Sequence, residues 1–185
     1  MHEEFRTEQF AESFTGVWKR VVTDPRGFFQ DMPIRGGIQS PLLFLVGCLV
    51  LAALGFLVVG PRGFGLALVF WGTLRSFLYA AVFLLVARQI FSGTGDFEAH
   101  YRVVAYATAP MALMWLPFVG SLTFLYTIFL VIAGLEKIDG FDAVKSVLTV
   151  LLASIVIMVL GWALGFHGHG YPGAYHHQGM MGCHR

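Results

Sequence analysis

Long apolar runs separated by short polar connections dominate the chain after residue 40. A helix needs about 20 apolar residues to cross the hydrocarbon core of a bilayer. Five runs approach or exceed this length, and each predicts a membrane-spanning helix. The predicted spans are residues 41–60, 64–87, 103–119, 121–138 and 144–166. The pattern therefore predicts an all-α polytopic membrane bundle over residues 41–166.

Residues 1–40 show the pattern of an amphipathic helix instead. Apolar side chains recur there at spacings of three and four, and charged side chains occupy the opposite face. We expect this cytoplasmic segment to lie in the headgroup layer as an interfacial helix that ends at Asp24-Pro25. A helix packed on a soluble partner is the alternative. The predicted apolar face consists of Phe10, Phe14, Val17, Trp18 and Val21.

The third and fourth predicted spans nearly abut, with a very tight turn at Gly120-Ser121. Proline removes a backbone donor and disrupts a helix, so Pro110 and Pro117 interrupt the third span. Together with Gly120, they mark a predicted helix break. Two interpretations stay open: residues 103–138 cross the membrane twice, or they form a re-entrant hairpin that protein shields from lipid.

Composition and charge support a membrane protein and suggest its orientation. Of the 185 residues, 57% are hydrophobic and 12% are charged, whereas a soluble domain carries about a quarter charged residues. The net charge of +1 argues against a nucleic-acid partner. Lysine and arginine favour cytoplasmic loops, which places the N-terminus in the cytoplasm and the C-terminus outside a cytoplasmic (inner) membrane. The basic residues assigned to the cytoplasmic side are Arg6, Lys19, Arg20, Arg26, Arg35, Arg88, Arg102, Lys137 and Lys145, against Arg62 and Arg185.

Three stretches resemble a known family. They are WKRVVTDPRGFFQDM, residues 18–32, PLLF at the start of the first predicted span, residues 41–44, and RVVAYATAPMALMWLPFVGSLTFLYTIFLVIAGL, residues 102–135. Their spacing and hydropathy are similar to those of the Yip (Ypt-interacting protein) domain family in its bacterial and archaeal form. The resemblance implies a five-helix membrane bundle with a cytoplasmic N-terminus. Eukaryotic members look like partners of prenylated Rab GTPases, but this chain lacks their Asp-Leu-Tyr-Gly-Pro element, so the resemblance does not extend to a Rab-type partner.

Arg75 lies near the middle of the second predicted span. A charge at that depth needs a partner and commonly marks a functional site. The rings of Trp71 and Tyr79, one helical turn to either side, are candidate partners, as are the hydroxyls of Thr108 and Tyr126. Two interpretations stay open: an anion site or gate that lines a wet cavity, and a structural arginine that extends toward the membrane surface.

The C-terminal segment, residues 167–185, is rich in histidine, glycine and methionine. Imidazole binds zinc, copper and nickel, while thioether and thiol groups favour cuprous copper. This extracytoplasmic tail is therefore a candidate metal-binding segment, and a glycine-rich disordered tail is the alternative. The candidate ligands are His167, His169, His176, His177, Met180, Met181, Cys183 and His184.

The remaining polar residues carry no recognisable catalytic motif, so we do not expect an enzyme. Asp96, Glu98 and His100 precede the third span and are interpreted as a solvated face rather than a second metal site. The leading hypothesis is a non-enzymatic, Yip-like protein that organises the bilayer or binds a membrane-protein partner, and that forms a homo-oligomer. The alternative is a transporter of a small solute or of copper, zinc or nickel, with Arg75 on its pathway.

Overall fold

The protein is described by a computed structural model over residues 10–59 and 64–163. Every regular element within these ranges is a helix, and they contain no strand, which confirms the all-α prediction there. The elements are α1 (Phe10–Thr23), α2 (Pro25–Asp31), α3 (Gln39–Val59), α4 (Phe64–Phe91), α5 (Phe97–Ala107), a 3₁₀ helix (Ala109–Leu113), α6 (Val119–Asp139) and α7 (Ala143–Ala163).

Four of these helices, α3, α4, α6 and α7, are long and apolar enough to cross a membrane. A helix of 21 residues, the length of α3, α6 and α7, extends about 30 Å, the thickness of the hydrocarbon core. Large apolar side chains stand exposed on their outer surfaces; Val58 and Leu66, for example, are 81% and 83% exposed. Such surfaces suit contact with lipid.

The third predicted span, residues 103–119, does not form one helix. Helix α5 begins earlier, at Phe97, and ends after 11 residues at Ala107. The chain then continues as the short 3₁₀ helix and a series of turns up to α6. Pro110 lies in the first turn of the 3₁₀ helix, where its missing N–H does no harm, but it could not continue α5 without losing a helical hydrogen bond. The fourth predicted span, by contrast, corresponds closely to α6.

Helix α5 forms the centre of the bundle. Every residue from Ala99 to Ala107 is buried, and the helix packs against α3, α4 and α6. Its approach to α6 is close at Gly134, where an added Cβ would overlap the side chain of Val103. This short helix is thus surrounded by the long apolar helices.

Helices α1 and α2 pack against the outside of the bundle. Asp24 separates them: its side chain accepts a hydrogen bond from the Gly27 N–H, at 3.1 Å, and Pro25 follows at the first position of α2. Helix α1 contacts the 3₁₀ helix, while α2 contacts α6. The buried side chains of α1 belong to the predicted apolar face and include Phe14, Val17 and Val21.

Candidate functional site

A buried polar cluster joins the start of α5 to the end of α6. His100 lies in the first turns of α5, Asp139 is the last residue of α6, and both side chains are completely buried. His100 Nε2 lies 3.1 Å from Asp139 Oδ2, which is an ion-pair distance, although the two atoms are not aligned for a hydrogen bond. The other carboxylate oxygen, Oδ1, accepts a hydrogen bond from the Gly95 N–H at 2.9 Å.

The backbone around His100 fixes which ring nitrogen carries a proton. Nδ1 lies 2.9 Å from the carbonyl oxygen of Asp96, and a carbonyl oxygen can only accept. Nδ1 is therefore the donor in this contact. A second proton on Nε2 would make the ring a cation that faces the carboxylate of Asp139. His100 thus donates to the backbone of its own helix and turns Nε2 toward a buried carboxylate of another helix.

A second group of contacts ties the segment before α3 to α5. The Arg102 side chain is almost fully buried, and its Nη2 donates to the Gly37 carbonyl at 2.9 Å while its Nε donates to Glu98 Oε1 at 3.3 Å. Glu98 Oε1 also accepts from the Gly37 N–H at 2.6 Å. Gly37 has a φ of +86°, a left-handed conformation that favours glycine. Glu98 and Arg102 thus bind the N–H and the carbonyl group of Gly37, respectively.

Sequence reasoning missed this cluster. It interpreted Asp96, Glu98 and His100 as a solvated face, but His100 is only 1% exposed. The sequence feature that could have predicted the contact with His100 is Asp139 itself, because it is an acidic residue at the end of an apolar span and directly before Gly140. Gly140 adopts a left-handed φ of 66° and ends α6, which leaves Asp139 on the last helical turn.

Arg75 lies on the exposed surface of α4. Trp71 is also exposed, and Tyr79 is half-buried. Within the residues that the structure describes, no hydrogen bond joins Arg75 to Thr108 or Tyr126. Their hydroxyls donate elsewhere: Thr108 to the Ala105 carbonyl at 2.6 Å, and Tyr126 to the Val22 carbonyl at 2.8 Å.

The interruption between α5 and α6 contains Pro110, which is buried, and Pro117, which is exposed. Gly120 follows at the start of α6, and an added Cβ there would lie 2.5 Å from the Met114 carbonyl oxygen. The Ala109 carbonyl, one residue before Pro110, accepts a hydrogen bond from Trp18 Nε1 at 2.8 Å. The indole of Trp18 in α1 therefore donates to a backbone carbonyl in the interruption between α5 and α6.

An apolar groove of about 440 Å³ lies beside this contact, between α1, α3 and the 3₁₀ helix. The ring of Trp115 packs directly on Gly55 of α3, so that a Cβ at residue 55 would overlap the indole. The groove is lined by Phe14, Thr15, Trp18, Leu51, Leu54, Gly55, Ala112, Leu113 and Trp115.

The candidate metal ligands of the tail lie outside the described residues. His167, His169, His176, His177, Met180, Met181, Cys183 and His184 all fall after Ala163. Within residues 10–59 and 64–163, no group of three or more histidine, cysteine, aspartate or glutamate side chains could hold a metal ion. The metal hypothesis for the tail stays a prediction.

Comparison with known proteins identifies the family. The family model of the Yip1 domain matches residues 19–165, which is most of the chain. The chain belongs to the Yip1 domain family. No curated protein and no solved structure matches it. The Yip1 domain thus includes the last five residues of α1, all of α2 to α7 and the whole buried polar cluster. The match and the four apolar helices together make this a multi-pass integral membrane protein.

Proposed function

We propose that the protein is a non-enzymatic membrane organiser that binds a partner, a second copy of itself or another membrane protein, through α1. The observation that supports this proposal is the way α1 is held. Its apolar face is buried against the bundle, while Glu12 and Lys19 on its other face are exposed. The Yip1 domain family is a membrane-protein family that is not known for enzymatic activity.

Two hydrogen bonds attach α1 to the bundle at defined points. Trp18 Nε1 donates to the Ala109 carbonyl, and the Tyr126 hydroxyl donates to the Val22 carbonyl. The Phe14 ring lies 5.2 Å from that of Phe44 on α3. Directional bonds and aromatic packing fix the rotation of α1 about its axis. The charged face therefore points away from the bundle in one orientation, as a partner-binding surface requires.

For the membrane topology, we propose five crossings with a cytoplasmic N-terminus. The third crossing would be made by α5, the 3₁₀ helix and the turns that follow. Gly95, between α4 and α5, contacts Asp139 at the end of α6. This contact supports a position of the start of α5 and the end of α6 on the same side of the membrane. Trp115 contacts Gly55 near the far end of α3, which supports a position toward the other side. The interruption would then lie inside the membrane, shielded by α1 and α3.

Cysteine labelling tests this topology and the side on which the tail lies. In a Cys183→Ser background, we expect Arg35→Cys and Phe118→Cys, both at exposed positions, to react with an impermeant maleimide from opposite sides of sealed vesicles. The native Cys183, tested in an otherwise unchanged chain, should react from the Phe118 side. Cys48 is buried and serves as the unreactive background. Reaction of Cys183 from the Arg35 side would contradict an odd number of crossings.

The same labelling tests the proposed metal role of the tail. Thiolate that ligates a metal is not free to attack a maleimide, so Zn²⁺ or Cu⁺ at micromolar concentration should slow the labelling of Cys183. Replacing His176 and His177 together by alanine should restore the rate. Labelling that is unaffected by metal would remove the metal role from the proposal.

Photo-crosslinking tests the partner-binding function of α1. A photoreactive amino acid at Glu12 in native membranes should give a discrete protein adduct, and Lys19→Glu should reduce that adduct severalfold because it reverses a charge on the same face. A photoreactive group at Leu151, an exposed apolar position on α7, is the matched control for contact with lipid. Identical adduct patterns at the two positions would show that α1 has no specific partner.

The transporter alternative receives less support. Arg75 is exposed on the surface of α4, and it lines neither the apolar groove nor a pocket beside α2. We therefore do not place Arg75 on a transport pathway.

A further inference from the structure

A pocket of about 760 Å³ opens where α6 ends and α7 begins, with α2 on its opposite side. Its charged lining combines both signs: Arg26 and Lys137 are basic, and Glu136 and Asp142 are acidic. Arg26, Lys137 and Asp142 are exposed, and Glu136 is half-buried. Gln30 of α2 adds an amide group. The pocket therefore offers cationic, anionic and neutral polar groups in one open space.

These four charges do not neutralise one another directly. None of them takes part in an ion pair shorter than 4 Å within the described residues. Asp142 accepts a hydrogen bond from the Lys145 N–H at 3.2 Å, which caps α7, while the side chains of Arg26, Glu136 and Lys137 make no hydrogen bond there. Two cationic and two anionic groups are thus available to a ligand that carries both charges.

The position of the pocket indicates where such a ligand resides. The connection between two consecutive membrane-spanning helices lies at a membrane surface, because irregular backbone exposed to hydrocarbon would leave its polar groups unsatisfied. The pocket includes this connection and therefore lies at the level of the lipid headgroups. Ala133, Phe141 and Ala143 line it beside the charged groups and lead onto the apolar helices. A ligand with a charged head and an apolar tail would place its head among the charged side chains and its tail along the apolar ones.

We propose that this pocket binds the headgroup of a zwitterionic phospholipid with a primary ammonium, of the phosphoethanolamine type. Arg26 and Lys137 would bind the phosphate, and Glu136 and Asp142 would accept hydrogen bonds from the ammonium. A lipid with net negative charge would meet the two carboxylates without a cation to pair with them. A zwitterion matches the zero net charge of the four side chains.

The absence of an aromatic cage among the lining residues favours a primary ammonium over choline. Quaternary ammonium has no N–H to donate and is typically recognised on the faces of several aromatic rings. Phe141 is the one aromatic side chain that lines the pocket; it is buried, with its ring packed edge-on against Phe91 at 6.0 Å. Carboxylates and an amide oxygen are instead acceptors for the three N–H groups of a primary ammonium.

Native mass spectrometry of the purified full chain in detergent tests the proposal with dioleoyl phosphatidylethanolamine, phosphatidylcholine and phosphatidylglycerol. We expect retention of phosphatidylethanolamine to exceed that of the other two about tenfold, the effect of one charge-assisted hydrogen bond. Lys137→Gln should reduce retention of both phosphatidylethanolamine and phosphatidylglycerol. Glu136→Gln should reduce only that of phosphatidylethanolamine. Lys145→Gln, at an exposed position outside the pocket, should change nothing.

Each variant is first compared with the wild type by its unfolding midpoint, and Arg26→Gln replaces Lys137→Gln if the latter does not fold. Equal retention of the three lipids, or a preference for phosphatidylglycerol, would overturn the proposal. So would retention that neither pocket variant changes. Competition by soluble glycerophosphoethanolamine at equal concentration would show that the ligand is a water-soluble phosphoester, and would overturn the assignment to a lipid.

Discussion

Replacing Asp139 by alanine is expected to destabilise the protein by about 3 kcal/mol. The change removes the acceptor of the Gly95 N–H and the carboxylate that faces His100, and it leaves both partners without a counterpart in a buried site. A buried polar group that loses its partner costs about 1–3 kcal/mol, and more when the group is charged. Unfolding in SDS, followed by tryptophan fluorescence in mixed micelles, measures the difference.

A second substitution at residue 139 separates its contact with the Gly95 N–H from its contact with His100. Asparagine keeps an oxygen that can accept from Gly95 but removes the negative charge, so Asp139→Asn should lose about 1 kcal/mol. Glu12→Gln removes one negative charge from an exposed side chain and is the matched control, with an expected loss under about 0.5 kcal/mol. Equal stability of Asp139→Ala and wild type would show that the cluster does not hold the two helices together.

Replacing Gly55 by alanine is expected to destabilise the protein by about 1–3 kcal/mol, the usual effect of overpacking. The added methyl group would overlap the ring of Trp115 at atoms close to its backbone. These atoms belong to the base of the indole, so the overlap is relieved only if the whole ring leaves Gly55 or the segment after the 3₁₀ helix shifts. The change should also alter the fluorescence of Trp115, and SDS unfolding again gives the loss of stability.

A double-mutant cycle identifies the cause of that loss. In a Trp115→Ala background the space is open, so Gly55→Ala should then lose at least 1 kcal/mol less than in the wild type. Gly161→Ala on α7 is the matched control, because its Cβ would meet no atom within 4 Å and alanine favours a helix. Additive effects of the two substitutions would mean that Trp115 does not limit the space at residue 55.

The long spans could be predicted from the sequence because lipid contact requires only continuous hydrophobicity. Helices α3 and α7 have apolar residues all around their axes, and their predicted bounds agree with the structure within a few residues over its described part. The structure of the third predicted span, residues 103–119, could not be predicted in the same way. Its hydropathy extends over the prolines, whereas its structure depends on which neighbouring groups satisfy the backbone around Pro110.

The buried cluster was missed for a different physical reason. His100 and Asp139 are 39 positions apart, and nothing local to either residue indicates the other. A histidine near two carboxylates in a predicted loop is usually solvated, and only the burial of α5 between three other helices changes that environment. Likewise, nothing local to Trp18 indicates that its indole donates to the Ala109 carbonyl, 91 positions away.

The bond between Trp18 and Ala109 has a consequence for biosynthesis. The ribosome synthesises Trp18 about ninety residues before Ala109, so α1 is complete long before its acceptor exists. The earlier part of the chain must enter the bilayer while the apolar side of α1 is still uncovered. When the segment between α5 and α6 is synthesised, the indole of Trp18 is already present to donate to the Ala109 carbonyl. The N-terminal helix can thus act as an internal assembly factor, present before the segment that it completes.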